Sequence, residues 1–307
     1  MPKVVVGLPV HNGENYVAHA IDSILAQTLK DFTLVISDNA STDATGKICS
    51  RYAAEDDRVT YVRQAKNLGA APNYNAVLAS APPSEYFVWI AHDDVAAPNF
   101  LEDCVAALDE TPDATVAFPR MVDIDANGET IGRAPARPDL TDPDPAARFA
   151  GVINQRHRND PIFGVIRRTI LATTDLHGSY SGSDRTLLAE LALRGPFVEL
   201  DDPLFSIRQH AGRSVRLGHG RWDMHVREAW FDTSRANKIV FPKWRRAGAY
   251  MAAVRTAPGL SIVERGRTYW TMVRWLGDRN WKALTLDVIL ATGTIYRRVI
   301  RRFQSEA

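Results

Sequence analysis

The chain has 307 residues, of which 45% are hydrophobic and 24% charged, the balance of a folded globular protein rather than a disordered or collagen-like one. A net charge of +1 excludes a dedicated polyanion binder, so no nucleic-acid partner is expected. The average conceals an asymmetry: residues 221–307 hold 17 Lys/Arg against 7 Asp/Glu, whereas residues 1–220 hold 20 against 29. An acidic front suits a bound cation, and a basic back suits an anionic partner such as a membrane surface or a charged acceptor.

The first half alternates strand and helix patterns. Residues 3–10 form a continuous apolar run, as a strand buried on both faces requires. The spacing then predicts a helix over 14–27 with Val17, Ala20, Ile21 and Ile24 on one face. A strand at 32–37 leads through Asp38, Asn39 and Ala40 into a helix near 44–54, with Ser41 or Thr42 as its N-cap. A short strand at 59–62, a helix at 72–80 and a strand at 86–91 follow. The last ends on His92-Asp93-Asp94, and Pro98 opens the next helix. Such alternation predicts a mostly parallel sheet with helices on both faces, and ligands in these sheets bind beyond the carboxyl ends of the strands. His11 and Asn12, Asp38, and Asp93 with Asp94 lie at three such ends.

From about residue 115 the pattern changes. Short strands are expected at 116–118, 121–125 and 129–132 around an Asn127-Gly128 turn, then a loop at 134–145 and a strand at 161–167. Asp184 opens a helix over 184–194 behind the Gly/Ser-rich segment 177–183, and strands follow at 197–200 and 204–208. Beyond Arg221 the pattern is almost wholly helical and rich in Trp and Arg, with a boundary at 212–220. The run 288–296 falls short of the ~20 residues of a spanning helix. Cys49 and Cys104 both fall on apolar helix faces, which points to a reducing compartment, and no leader is visible before the first strand. A cytoplasmic protein is expected, with peripheral contact at the inner face of the membrane through 221–307 as an option. The alternative is a helical cap whose Trp222, Trp230, Trp244, Trp270, Trp275 and Trp281 fill a small core.

Several groups carry candidate chemistry. Asp93-Asp94 reads either as a solvated turn or as a site for a hard divalent ion, because adjacent carboxylates repel unless a cation stands near them. Asp38 either caps a helix or accepts hydrogen bonds from a base, with Asp43 and Ser41 taking over the cap. Lys66 and Asn67 belong to a turn whose amides could face a diphosphate. Asp184 is either a first-turn carboxylate favoured by the helix dipole or a general base. Arg208 and His210 end a strand before Arg213; they suit a departing diphosphate, with His210 a metal ligand, or an ordinary surface loop.

Taken in order, Gly7-Leu8-Pro9-Val10-His11-Asn12, Asp22-Ser23-Ile24-Leu25-Ala26-Gln27, Ser37-Asp38-Asn39-Ala40-Ser41-Thr42-Asp43, Asn67-Leu68-Gly69 with Asn73, and Trp89-Ile90-Ala91-His92-Asp93-Asp94 resemble the family 2 glycosyltransferases over roughly residues 3–215. The resemblance implies an A-type (GT-A), Rossmann-like α/β fold with a helical C-terminal extension. Residues 1–215 would form the catalytic domain, divided into a nucleotide-sugar-binding half, 1–115, and an acceptor-binding half, 116–215. Residues 216–307 would form the basic helical region. The expected activity is inverting transfer of a hexosyl or deoxyhexosyl group from a UDP-, dTDP- or GDP-linked sugar to a hydroxyl of a glycan, glycolipid or other lipid-linked cell-envelope precursor. The resemblance further implies that Pro9, His11, Asn12, Glu14, Asp38, Lys66, Asn67, Asn73, Asp93, Arg208 and Arg213 bind the donor. Asp94, with Asp93 and His210, would hold Mn²⁺ or Mg²⁺, and Asp184 would be the catalytic base. His11, Ala91 and Pro72 depart from the Tyr, Asp and Arg common at these places. Two other classes compete. A nucleotidyltransferase would carry a Gly-rich basic loop where Pro9-Val10-His11-Asn12-Gly13 stands, and a non-catalytic nucleotide-sugar-binding protein would bind without turnover. The lack of a G-x-G-x-x-G turn after the first strand disfavours a dehydrogenase.

Overall fold

The computed structural model describes residues 1–133, 140–154, 159–212, 224–235 and 238–292. Strand β1 (Val4–Val10) is buried along its whole length, so it occupies the middle of the sheet as its unbroken apolar run requires. It pairs in parallel with β2 (Phe32–Asp38) on one side and β4 (Tyr86–Trp89) on the other, and β2 pairs in parallel with β3 (Val59–Arg63). Helices α1 (Val17–Leu25), α2 (Thr45–Glu55) and α3 (Ala70–Ala79) make the connections. The register sets Val10 beside Asp38 and Asp38 beside Arg63, so the carboxyl ends of these strands share one rim.

The period-2 alternation of a strand divides the core. Val4, Val6 and Leu8 face one cluster with Ile21, Ile24, Cys49 and Cys104, while Val5 faces a second cluster with Trp89, Leu187 and Tyr250. Both cysteines are free thiols, and burial pushes Cys49 up to about 12 and Cys104 higher still. They are inert filling, not a disulfide frame.

The second half of the sheet is mixed. The order is β3-β2-β1-β4-β8-β6-β9-β5, with β5 (Val95–Ala96), β6 (Val116–Ile124), β8 (Val165–Arg167) and β9 (Phe197–Arg208), while β7 (Thr130–Arg133) forms a hairpin with β6. Antiparallel β8 joins β4 to β6, and β6 runs parallel to β9. The segments expected as separate strands at 116–118 and 121–125 are one strand, as are 197–200 and 204–208. A register shift between Pro119 and Met121 absorbs the breaks that Pro119 and Pro203 announce. Instead of one strand over 161–167, a 3₁₀ turn at Asp160–Phe163 precedes β8. Neither Ser41 nor Thr42 caps α2: Ala44 stands at that position, Asp43 accepts the Thr45 amide, and Ser41 Oγ serves the Asn12 amide.

Helix α4 (Phe100–Glu110) backs the first cluster, while α5 (Pro145–Ile153) and α7 (Ser183–Arg194) back the second; a single turn, α6 (Arg168–Leu171), follows β8. The C-terminal helices α8 (Met224–Phe231), α9 (Pro242–Thr256) and α10 (Ile262–Trp275) close that face, with α9 against α7 and α10 against α5. Trp275 is buried and donates its Nε1–H to the Ile153 carbonyl. Trp230, Trp244, Trp270 and Trp281 are exposed, so only Trp275 of the described tryptophans here fills a core; Trp222 lies outside the described residues. No helix among the described residues is long and apolar enough to cross a membrane.

Candidate active site

The loop after β1 is stitched to the loop after β2. Asn12, at φ 51°, donates its amide N–H to Ser41 Oγ and accepts the Thr42 amide N–H at Oδ1; Glu14 Oε2 accepts the Ala44 amide. Pro9 is buried within β1, one residue short of its end, and His11 is exposed beyond it, 3.0 Å from Asn67 Nδ2 through Nε2. Asn67 Oδ1 accepts from Asn39 Nδ2 and the Gly69 amide, and Lys66 stands exposed beside it. Asn73 does not reach this surface. It is buried and exchanges two hydrogen bonds with Ser37, pinning α3 to β2. Asp38 is also committed inside the protein. Its Oδ1 accepts the Ser41 amide, and its Oδ2 accepts Tyr61 Oη and Arg63 Nη1, each at 2.7 Å. The expectation that Asp38 stands open to a base is corrected by Tyr61 and Arg63, which the strand register brings alongside it.

Asp93 and Asp94 part company. Asp94 is fully buried, and its Oδ1 accepts the Arg208 amide at 2.9 Å, tying the turn after β4 to the end of β9. Asp93, 9% exposed, sets Oδ2 2.9 Å from His210 Nε2. Of the pair expected to share a cation, Asp93 stands with His210 while Asp94 braces a strand. Octahedral ligands about 2.1 Å from a small divalent ion sit roughly 3 Å apart, so the Asp93 oxygen and His210 nitrogen fit two neighbouring positions of one shell. Among the described residues no group of three or more His, Cys, Asp or Glu side chains gathers to cage an ion. Two protein ligands leave the rest of the shell to ligand oxygens and water, the usual arrangement for Mg²⁺.

Arg208 also braces this turn. Its Nε donates to the Asp93 carbonyl and its Nη1 to the carbonyls of Asp125 and Ala126, while the guanidinium lies over the Tyr16 ring. These bonds hold the turn through Nε and Nη1 of the guanidinium. Tyr16, unremarked in the sequence, also packs its ring 4.8 Å from that of His210. Arg213 lies outside the described residues.

Asp184 occupies the first turn of α7, behind Gly182 at φ +83°. Asn159 Nδ2 donates to its Oδ2 at 2.7 Å, the Arg185 amide donates to Oδ1, and Arg185 Nε returns to Asn159 Oδ1. The carboxylate lines a cavity of about 350 Å³, within the range of small-ligand sites. Ile207, next to Arg208, is in the same wall, so the cavity abuts the strand end that holds the aspartates. Sequence reasoning missed several of its residues. His177 is 8% exposed, packed edge-on against Trp89 and Tyr74, and its Nε2 has no hydrogen-bond partner among the described residues. Burial lowers its pKa to about 4, against a smaller opposing pull from Asp184, so the ring is neutral near pH 7. Helices α8 and α9 contribute Arg227, Trp230 and Arg246 to the cavity. Nothing in spacing or composition marks these residues, because long-range packing alone brings them there.

A polar rim at the ends of β1, β2 and β4 lies beside this cavity, and solved structures share the fold. The protein resembles Staphylococcus aureus TarS 1–349 in complex with UDP (TM-score 0.62, 18% identity, covering 91% of this chain and 73% of that one). It also resembles the mannosyltransferase PcManGT of Pyrobaculum calidifontis in complex with GDP-Man and Mn²⁺ (TM-score 0.53, 16% identity, 95% and 86% covered). The fold is therefore GT-A. The model of glycosyl transferase family 2 matches residues 5–188, and the chain belongs to that family. Relatives include the uncharacterized glycosyltransferase RT0329 of Rickettsia typhi, 36% identical over 110 residues, which are 36% of this chain and 33% of that protein. Another is the glycosyltransferase GlyA of Streptococcus pneumoniae, 34% identical over 100 residues, 33% of this chain and 14% of that one. The match thus spans a third or less of these two curated relatives.

Proposed function

We propose that the protein transfers a hexosyl or deoxyhexosyl group from a nucleoside-diphosphate sugar to an acceptor hydroxyl with inversion, and that Asp184 is the base. The observation that carries this is the Asp184 carboxylate, held by Asn159 and the Arg185 amide and open to a ligand-sized cavity. One oxygen of Asp184 takes the proton of the acceptor hydroxyl as the acceptor oxygen bonds to the anomeric carbon. The bond from that carbon to the diphosphate breaks, and its electron pair leaves with the diphosphate. A single displacement inverts the carbon. Asp93 and His210 would hold Mn²⁺ or Mg²⁺, which when bound supplies charge neutralisation to the leaving diphosphate.

His11, Asn12, Glu14, Lys66 and Asn67 lie on or beside the rim where we assign the UDP-, dTDP- or GDP-linked donor. Pro9 and Asp38 support it from within the sheet. The acceptor is a glycan or a lipid-linked envelope precursor. Residues 1–215 serve as the catalytic unit and 216–307 as a basic helical appendage. The outward face of that appendage, with exposed Val263, Trp270, Val273 and Trp281, is assigned peripheral contact with the inner membrane face of a cytoplasmic protein. Failure to sediment with anionic vesicles at low salt would remove that assignment. The function is tested by incubation with a panel of donors and Mn²⁺: release of nucleoside diphosphate supports transfer, release of pyrophosphate supports nucleotidyl transfer, and binding without turnover supports neither.

A further inference from the structure

The Asp184 cavity holds more unmet polar chemistry than a base requires. His177 Nε2, Ser183 Oγ and Arg246 Nε are all buried without hydrogen-bond partners among the described residues, and all three residues line it. Buried polar groups are normally paired, because an orphan forfeits its hydration without recompense. Three such residues in one cavity wall hold polar capacity that a ligand entering it satisfies once their side chains turn towards it.

The charges identify what kind of ligand. Arg227 from α8 and Arg246 from α9 also line the cavity, and neither is in an ion pair with a described carboxylate. Among the lining side chains Arg185, Arg227 and Arg246 outnumber Asp160 and Asp184 by one, while Glu228 and Asp287 behind the wall act electrostatically on Arg227 and Arg246. Tyr74 and Trp230 supply aromatic surface in the same walls. Asp93 and His210 are not in its lining, so this positive charge is separate from the candidate cation site.

We propose that this cavity takes an acceptor bearing an acidic group, a carboxylate or a phosphate ester, which Arg246 and Arg227 hold while His177 and Ser183 bind neighbouring hydroxyls. This deepens the assignment of Asp184 as base and rests on it. An oxyanion here gives the guanidiniums charge-assisted hydrogen bonds, the strong class in a low-dielectric pocket. The C-terminal helices thereby become part of acceptor selection.

The test follows the arginine Nε–H resonances of the full chain by nuclear magnetic resonance, with the Arg246 signal assigned through R246K. Inorganic phosphate, acetate and, separately, UDP with Mn²⁺ are titrated in. The expected result is saturable movement of the Arg246 signal with phosphate, acetate or both at millimolar concentration, weakened in R227M. Movement with phosphate alone assigns a phosphate ester; movement with acetate assigns a carboxylate. Transfer is then compared across neutral and acidic members of paired hexosides, where the acidic member should lead by about tenfold or more and R246K should collapse the ratio towards one. An Arg246 signal that answers only to UDP identifies the donor diphosphate as its ligand and overturns the proposal. No response to either anion, or equal transfer to neutral and acidic hexosides, also overturns it. If Asp184 is not the base, D184N keeps transferring while the anion response persists, so the two failures are distinct.

Discussion

Replacing His177 with Gln removes one ring whose protonation the fold resists. In the native protein the imidazole is boxed by Trp89 and Tyr74, and burial holds its pKa at about 4 against an ordinary 6.5. The unfolded chain therefore binds this proton more readily than the folded one. The neutral ring's full contribution to stability is present above pH 6.5 and is lost as the pH falls towards about 4. A gap of that size corresponds to roughly 3 kcal/mol, of which roughly 2.5 kcal/mol is gone by about pH 4.5. Urea unfolding of the wild type and of His177→Gln at about pH 7.5 and about pH 4.5 measures this. Titrating groups that do not act on His177 are common to both proteins and cancel in the difference. The wild type should lose roughly 2 to 3 kcal/mol more than the variant between the two conditions. Equal losses would refute the claim that this imidazole is kept neutral by burial.

Asp184→Asn should retain donor binding, measured by calorimetry, and lower transfer by about a hundred- to ten-thousand-fold; full activity would dismiss the base. Asp93→Ala should raise the Mn²⁺ concentration for half-maximal turnover by about tenfold or more. Asp94→Ala should also act on the fold, since it strands the buried Arg208 amide at a cost of about 1–3 kcal/mol in urea unfolding. Gly69→Ala should destabilise by about 1–3 kcal/mol, because φ is +93° and a Cβ would sit 2.7 Å from the Asp232 backbone; an unchanged melting curve would contradict this. Glu190 is pushed up to about 7 by burial, so its stabilising neutral form is lost as pH rises from 4.5 through 7. Glu190→Gln should gain on the wild type over that interval by up to roughly 3 kcal/mol, read from unfolding midpoints at the two ends.

The parts of this protein legible in one dimension are those governed by local periodicity. Residues 4–10 are apolar throughout because both faces of β1 are covered, and Val17, Ala20, Ile21 and Ile24 repeat at helical spacing because α1 has one inner face. The mixed half was harder to read. Two prolines broke β6 and β9 into apparent fragments, while pairing across the sheet kept each continuous. Asp38 looked available because nothing in its own segment discloses Arg63 and Tyr61 on the next strand.

By itself the sequence determined the alternation of strand and helix, the buried centre of the sheet and the gathering of acidic and amide side chains at strand ends. Those follow from side-chain polarity at periods of 2 and 3.6, which are properties of neighbours along the chain. The tertiary structure alone decided that Asp93 meets His210 while Asp94 grips β9, and that His177, Arg227 and Arg246 enclose Asp184. Apart from His177, seven positions before Asp184, those pairings join residues tens to over a hundred positions apart, and only the packing of whole elements sets their distances.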